Sequence, residues 1–467
     1  MKKFKRLAAL LLTLALCLSL AACGGSPSGD ADTSEDTESA DASGEEPVNV
    51  VYWGTWGAEK QEYIQQVMDE FNASQSKYVM SYEYVGSTDD LLAKLQVTDQ
   101  AEYPALINGT TEQTGTYFYS DYITPISEIA DADGPSISML YGNLVSTWGD
   151  AEGKMVGYPM GNSMAGIYFN MDMLDQIGVD PYTDITCLED LAPVFAALVD
   201  GGVCEKAIGF DWHNIYLNYA LSIEGVDCVD MNNGKDGVCT TALYDQPGTI
   251  EYVTRYFELW SNANQAGYLY NPGASWGNEV LPAFATGQIA IVTGTIGGYA
   301  RLANAWNENH DTPCNIAFIP WQAVTAEGRS TGLPASGNGF YIANTTNDAA
   351  KEGAWEFIKF WSEGDRAATW CTITGYLPIS DECYESQIYK DYIADATLDF
   401  QSLIDIQKAS DIESYHPVTP VNTELQSAGI DALNKVIADP NYGIEKAIGE
   451  FAATVNDALE MWHLEND

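Results

Sequence analysis

The feature that most constrains this chain is an alternation of two hydrophobic periods near residue 50. "VNVVYW" (48–53) is a short β-branched and aromatic run, the pattern of a strand. Ile64, Val67, Met68 and Phe71 follow at i, i+3, i+4 and i+7, one face of an amphipathic helix. "YVMSYEYV" (78–85) reads as a second strand, "TDDLLAKLQ" as a second helix and "PALIN" (104–108) as a third strand. A β-α-β-α-β start implies a mostly parallel sheet with helices on both faces, hence an α/β fold. Further strands are predicted at Ile167–Asn170, Ala207–Phe210, Ile289–Thr293, Ile316–Ile319 and Phe340–Ala343. Ala354, Phe357, Ile358 and Trp361 form one later helical face, and Ile448, Phe451, Ala452, Val455 and Leu459 another. Trp355 and Trp361 are therefore expected in the core. About 420 residues exceed the usual limit of a single core, so two lobes are expected.

In such sheets ligands bind beyond the carboxyl ends of the strands. The stretches there are "GTWG" (54–57), "GSTDD" (86–90), "GTTEQTG" (109–115), "FDWHN" (210–214) and "GTIGG" (294–298). They are rich in hydroxyls, amides, glycine and tryptophan and poor in cations. That suits a neutral polyhydroxylated ligand, with aromatic faces on C–H patches and polar groups on hydroxyls. Trp53 and Trp276 join Trp212 as aromatic candidates.

The amino terminus carries a different message. Lys2, Lys3, Lys5 and Arg6 precede a short apolar run, Leu7 to Leu20, the pattern of an export signal. Leu20-Ala21-Ala22-Cys23 resembles the lipobox of bacterial lipoproteins. The resemblance implies cleavage before Cys23 and a lipid on its thiol. Acyl chains hold by about 0.8 kcal/mol per buried methylene, so a multiply acylated end anchors stably. Residues 24–47 contain eight acids and no base, too little apolar surface to offset ordering entropy. They are expected to be a disordered tether, about 80 Å when stretched. The expected layout is a signal at 1–22 and a lipidated Cys23 with its linker at 23–47. No second long apolar run follows, so membrane attachment is expected through the lipid alone.

With 67 acidic and 20 basic residues the net charge is −47. Such a surface repels phosphate backbones, which excludes nucleic acid as a partner. The four histidines are scattered and no cysteine pair has zinc-finger spacing, so neither metal nor cofactor is expected. Cys228 and Cys239 bracket "VDMNNGKDGV", which reads as a tight hairpin and makes them the best disulfide candidates. Cys187–Cys204 and Cys371–Cys383 are weaker candidates, and Cys314 is expected to be the odd thiol. No G-x-S-x-G, Walker loop, H-E-x-x-H or S-x-x-K constellation is present, and nothing singles out a carboxylate pair for glycoside hydrolysis.

Three blocks carry a family resemblance. "GKMVGYPMGNSMAGIYFNMDMLDQIGVDP" (153–181), "FATGQIAIVTGTIGG" (284–298) and the segment 336–380, ending in T-G-Y-L-P-I-S, resemble signature regions of family 1 extracellular solute-binding proteins of ABC importers, in the family's order. The resemblance covers about 47–467. It implies a periplasmic-binding-protein-like fold, two α/β lobes with central mixed sheets closing over a ligand. Transferred here, lobe one is 48–161 plus 288–338 and lobe two is 162–287 plus 339–467.

It also implies ligand-binding residues, most closely through the glycerol-3-phosphate receptor branch: Tyr84, Glu112, Ser163, a residue near Thr295, Gly337 and Tyr376, with Trp212 where that branch has a tryptophan. The branch's phosphate-holding arginine has no counterpart in "HPVTPVNTELQSAG" (416–429). The expectation is therefore a monomeric lipoprotein on the outer face of the cytoplasmic membrane, not an enzyme, which captures a sugar or oligosaccharide and delivers it to permease subunits. The alternatives are a surface glycoside-active enzyme, or a receptor for a non-sugar solute such as a polyamine or a glycerol phosphate derivative.

Overall fold

The computed structural model describes residues 46–130, 134–210, 215–271, 279–328, 332–410 and 416–466. Cys23, Trp212 and Trp276 lie outside them. The body from Pro47 to Asp467 is built on two sheets.

The first sheet has the order β2-β1-β3-β11-β4, with β5 also paired to β11. β1 (Val48–Gly54) is parallel to β2 (Tyr78–Tyr84) and to β3 (Leu106–Thr110). β4 (Ile123–Thr124) and β5 (Tyr158–Pro159) are short and join through β11. The parallel start is as the periodicity predicts, because α1 (Ala58–Ser74) and α2 (Thr88–Val97) supply the crossovers. α1 buries Ile64, Val67, Met68 and Phe71, the predicted face. Ser87 caps α2 with a reciprocal capping box to Asp90. α3 (Thr114–Tyr119) and α4 (Gly142–Trp148) complete this part.

The second sheet runs β10-β6-β9-β7-β8. Its strands are β6 (Ala165–Asn170), β7 (Lys206–Gly209), β8 (Leu269–Tyr270), β9 (Ile289–Thr295) and β10 (Ile316–Pro320). β6 is antiparallel to both β9 and β10, whereas β7 is parallel to β9 and β8. α5 (Ile215–Glu224) and α6 (Ile250–Gln265) follow β7, and Phe210 stacks on Trp260 of α6 at 4.1 Å.

The chain then re-enters the first sheet. β11 (Asn338–Ala343) inserts antiparallel between β3 and β4. α7 (Asp348–Ser362) lays Phe357 and Trp361 on Phe340 of β11, as expected for a core helix. α8 (Asp365–Thr374) adds Trp370 beside Trp361, and the short α9 (Asp381–Glu385) follows. α10 (Asn422–Ala438) and α11 (Ile444–Asn466) return to the second sheet's helices: Ser261 Oγ and Asn264 Nδ2 of α6 donate to the Val436 and Ile437 carbonyls, and Phe451 packs on Tyr244.

This pairing corrects the expected lobe boundaries. β9 and β10, within 288–338, belong with β6 in the second sheet, and β11, α7 and α8 belong with the first. The reason is the antiparallel β6. Its two edges are filled by β9 and β10, so the chain cannot return to the first sheet before Pro320.

The Cys228–Cys239 bridge is also corrected. All seven cysteines from Cys187 onward are thiols. The segment between these two is not a hairpin: Met231, Asn232 and Asn233 all have positive φ, a left-handed turn. An isolated antiparallel bridge pairs Val229 with Ala242, so the two sulfurs are not opposed. Cys228 Sγ reaches Asn218 Oδ1 at 3.6 Å and Cys239 Sγ reaches Thr419 Oγ1 at 3.4 Å. Cys187–Cys204 forms no bridge either.

Candidate functional site

Three backbone segments pass between the two sheets and are laced together. The first, Met160–Met164, joins β5 to β6; the second, Leu333–Gly337, leads into β11; the third, His416–Val421, leads into α10. Ser163 N donates to the Ser336 carbonyl at 2.9 Å, and Ser336 N returns to the Ser163 carbonyl at 3.1 Å. Asn162 pairs in the same reciprocal way with Leu377. The Ala335 carbonyl accepts from His416 Nε2 at 2.9 Å and from the Tyr219 hydroxyl at 3.4 Å. Short, mutually bonded crossovers of this kind confine relative motion of two lobes to a few backbone torsions.

Tyr376 stands at this junction. It follows Gly375, whose φ of +71° ends α8, and its ring lies in a slot floored by three glycines. A Cβ at Gly161, Gly297 or Gly337 would come within 2.9, 3.1 or 3.3 Å of the Tyr376 side chain. Burial, with Glu112 adding to it and the nearby Asn338 side chain opposing it, pushes the pKa of the Tyr376 hydroxyl up to about 12. Asn338 Oδ1 in turn accepts from Asn108 Nδ2 at 3.1 Å, and that amide also reaches Thr55 Oγ1 at 2.8 Å. A polar chain thus links the residue after β1 to β3 and β11 and ends at Asn338, near the Tyr376 hydroxyl.

Glu112 sits on the tight turn after β3, with 13% of its side chain exposed. Its Oε1 accepts from Thr111 Oγ1 at 3.0 Å and lies 4.0 Å from His416 Nε2. Its negative charge raises the pKa of Tyr219, Tyr341 and Tyr376. Among the described residues the basic side chain facing it is His416, and no lysine or arginine pairs with it. Ser163 Oγ is buried and has no hydrogen-bond partner among the described residues. A buried hydroxyl without such a partner, close to a tyrosine ring, is a site ready to exchange hydrogen bonds with a ligand.

The predicted site residues therefore separate. Ser163, Gly337 and Tyr376 touch, and Glu112 acts on Tyr376 electrostatically. Thr295 ends β9 just before Ile296 and Gly297, and its carbonyl accepts from the Tyr168 hydroxyl at 2.5 Å. Tyr84 is 53% exposed at the end of β2, near Gly57. Trp53 is 6% exposed and lies under the Lys94 ammonium at 3.7 Å, on the face covered by α2. Trp56, the other tryptophan that the stretch after β1 offers as a candidate, is half-buried beside Thr55 and edge-on to Trp370, and its Nε1 has no hydrogen-bond partner among the described residues. Gly297 lies in the expected stretch 294–298, whereas His416, Tyr219 and Asn338 are not singled out by the sequence. His416 lies at the start of the stretch that lacks the arginine, and nothing local distinguishes it from a solvated histidine. Among the described residues no three His, Cys, Asp or Glu side chains are grouped to hold a metal.

Residues 66–397 match the sequence profile of a family described as bacterial extracellular solute-binding protein. The chain belongs to that family. The sn-glycerol-3-phosphate-binding periplasmic protein UgpB of Pectobacterium atrosepticum is 23% identical over 343 residues, covering 72% of this chain and 74% of the relative. The sugar-binding protein MalE of Xanthomonas citri superposes with a TM-score of 0.70 at 14% identity, over 90% of this chain and 100% of that one. The cyclic alpha-maltosyl-1,6-maltose binding protein of Arthrobacter globiformis gives 0.67 at 19% identity, over 89% and 100%. At such identities the superpositions establish the fold: two lobes, here the two sheets with their helices. In this solute-binding protein the laced crossovers are the connection between lobes.

Proposed function

We propose that this solute-binding protein captures a neutral sugar or oligosaccharide outside the membrane and hands it to the permease of an ABC importer, without covalent chemistry. The observation that carries the reading is the crossover cluster. Ser163 Oγ lacks a partner, the Tyr376 hydroxyl remains protonated, and Glu112 has no lysine or arginine beside it among the described residues. Hydroxyl ligands both donate and accept, so they match a carboxylate next to hydroxyls. A phosphate would meet the Glu112 charge, with which no lysine or arginine is paired among the described residues. Two structural neighbours support this reading, one named for cyclic alpha-maltosyl-1,6-maltose and one named as a sugar-binding protein.

The relatives named for sn-glycerol 3-phosphate favour a second reading, a phosphorylated ligand. A thermal-shift screen of mono- and oligosaccharides against glycerol 3-phosphate separates the two, since a bound ligand raises the melting point with the logarithm of its saturation. A shift with glycerol 3-phosphate and none with any sugar would overturn the first.

Ser163, Tyr376, Glu112, Gly337 and Thr295 are proposed to contact the ligand, with Trp212 and Trp276 as stacking partners. Cys23 is proposed as the lipid anchor, holding a monomer to the outer face of the cytoplasmic membrane. A Cys23→Ser protein that stays with the membrane fraction would count against that.

A further inference from the structure

Cys371 and Cys383 are the one cysteine pair that the structure brings into contact among the described residues. Their sulfurs are 4.0 Å apart, and both side chains are buried. Cys371 lies in the last turn of α8 and Cys383 in α9. Between them runs the loop that presents Tyr376 and ties Leu377 to Asn162 of the first crossover. Cys371 Sγ also donates to the Leu377 carbonyl at 3.4 Å, and a Cβ at Gly161 would lie 3.4 Å from that sulfur. The pair therefore sits directly beneath the candidate site. The other five thiols are separate from one another: Cys228 and Cys239, for instance, turn to Asn218 and Thr419.

We propose that Cys371 and Cys383 close to a disulfide by exchange with an external disulfide, and that this bond clamps the Tyr376 loop against the crossovers. The sulfurs must approach by about 2 Å to reach bonding distance. Side-chain rotation supplies this at the cost of the weak S–H contact to Leu377. In the first step one thiol loses its proton, and the thiolate attacks a sulfur of the external disulfide. That S–S bond breaks and one external thiolate leaves. In the second step the other cysteine, deprotonated, attacks the protein sulfur of the mixed disulfide and expels the second external thiolate. Two protein thiols are oxidised by two electrons. One external disulfide is reduced to two thiols, which take up the two protons.

Burial, reinforced by the neighbouring Cys383, raises the Cys371 pKa well above its ordinary value. Thiolate is therefore scarce once α8 and α9 have docked, so exchange belongs to folding rather than to the finished protein. The same burial then shields the bond from reductants. The inference rests on sulfur geometry and is independent of which ligand the site takes.

No lysine or arginine lies between Arg366 and Lys390, so one tryptic peptide, 367–390, carries both cysteines. The full chain is folded with reduced and oxidised glutathione, then denatured and alkylated with N-ethylmaleimide. The expected peptide lacks two hydrogens, carries no maleimide, and takes up two maleimides after reduction. Amide hydrogen exchange across 372–382 should be at least severalfold slower in the oxidised protein than in the reduced one. A doubly alkylated peptide without prior reduction would overturn the proposal, as would a link from either cysteine to another. A disulfide that left exchange in 372–382 unchanged would overturn the clamp. In the double variant Cys371→Ser, Cys383→Ser, exchange there should ignore the glutathione ratio; a persisting response would assign the effect to other thiols.

Discussion

The imidazole of His416 faces the carboxylate of Glu112 at 4.0 Å, joining the third crossover to the turn after β3. The ring also donates to Ala335 and packs edge-on against Tyr219 at 4.1 Å. Burial lowers the His416 pKa; Glu112 and the Ala335 bond oppose the shift, and Lys235 adds to it. The folded state therefore holds the neutral ring while the unfolded chain takes a proton near pH 6.5. The stability this gives is complete above that pH and is lost as pH falls below it. Urea unfolding from pH 8 to pH 5 should show wild type losing stability faster than His416→Gln. Parallel curves would mean that the ring is charged in the folded protein or titrates as it does unfolded.

Lys235 supplies a second window of the same sign at higher pH. It is buried, and its ammonium donates to the Ser146 carbonyl at 2.7 Å and to that of Gly149, at the end of α4. Burial brings its pKa down to about 7. An unfolded lysine keeps its proton to about pH 10.4. Between these values the unfolded chain binds more protons, so stability should rise with pH from about 7 towards 10. Lys235→Met should flatten this rise while lowering stability at pH 9 through the lost carbonyl bonds. Unfolding curves at pH 7, 8, 9 and 10 measure both; an unchanged slope in the variant would refute the assignment.

Two glycines separate strain from collision. Gly234 has a φ of +80°, and an added Cβ would lie 1.9 Å from the Val418 carbonyl oxygen, which is backbone and cannot yield. Gly248 has a φ of +99° with nothing within 4 Å. Gly248→Ala should cost about 1–2 kcal/mol, the strain alone. Gly234→Ala should cost more than about 3 kcal/mol or prevent folding. Similar losses in both would mean that the turn at 231–234 moves away from the third crossover.

At the site, Tyr376→Phe and Glu112→Gln should each weaken binding of the sugar that raises the melting point by about tenfold, the worth of one or two hydrogen bonds. Trp53→Phe should leave affinity unchanged, because Lys94 and α2 cover that ring. Isothermal titration of the three proteins against wild type decides between the crossover cluster and the end of β1.

Local pattern carried much of the fold. The strands at 48, 78, 167, 289, 316 and 340 and the α1 and α7 faces follow from periods of two and 3.6, which neighbours in sequence set. What escaped depends on partners far along the chain. β4, β5 and β8 are two residues each, too short to show a period. The lobe assignment of β9 to β11 depends on which edges of β6 and β3 remain open, a question of pairing rather than propensity. Asn-Gly and Asp-Gly steps in 228–239 do signal a turn, but three successive left-handed residues are stabilised by docking onto Val418 and Tyr119, which no local signal reveals. Ser163, Gly337 and Tyr376 were legible because each matches a residue of the family's binding pattern. His416 and Asn338 gain their roles from the crossovers meeting there.

The insertion of β11 between β3 and β4 has a consequence for biogenesis. As the chain emerges from amino to carboxyl end, β3 is complete at Thr110, yet its pairing edge stays open until Asn338 arrives more than two hundred residues later. Throughout that interval the nascent first lobe exposes an unsatisfied strand of leucine and isoleucine, a template for wrong partners. The sheet of the amino-terminal lobe thus closes only after every strand of the second sheet has been made. A delay before folding, whether from a chaperone or from passage across the membrane unfolded, is something this topology rewards rather than merely tolerates.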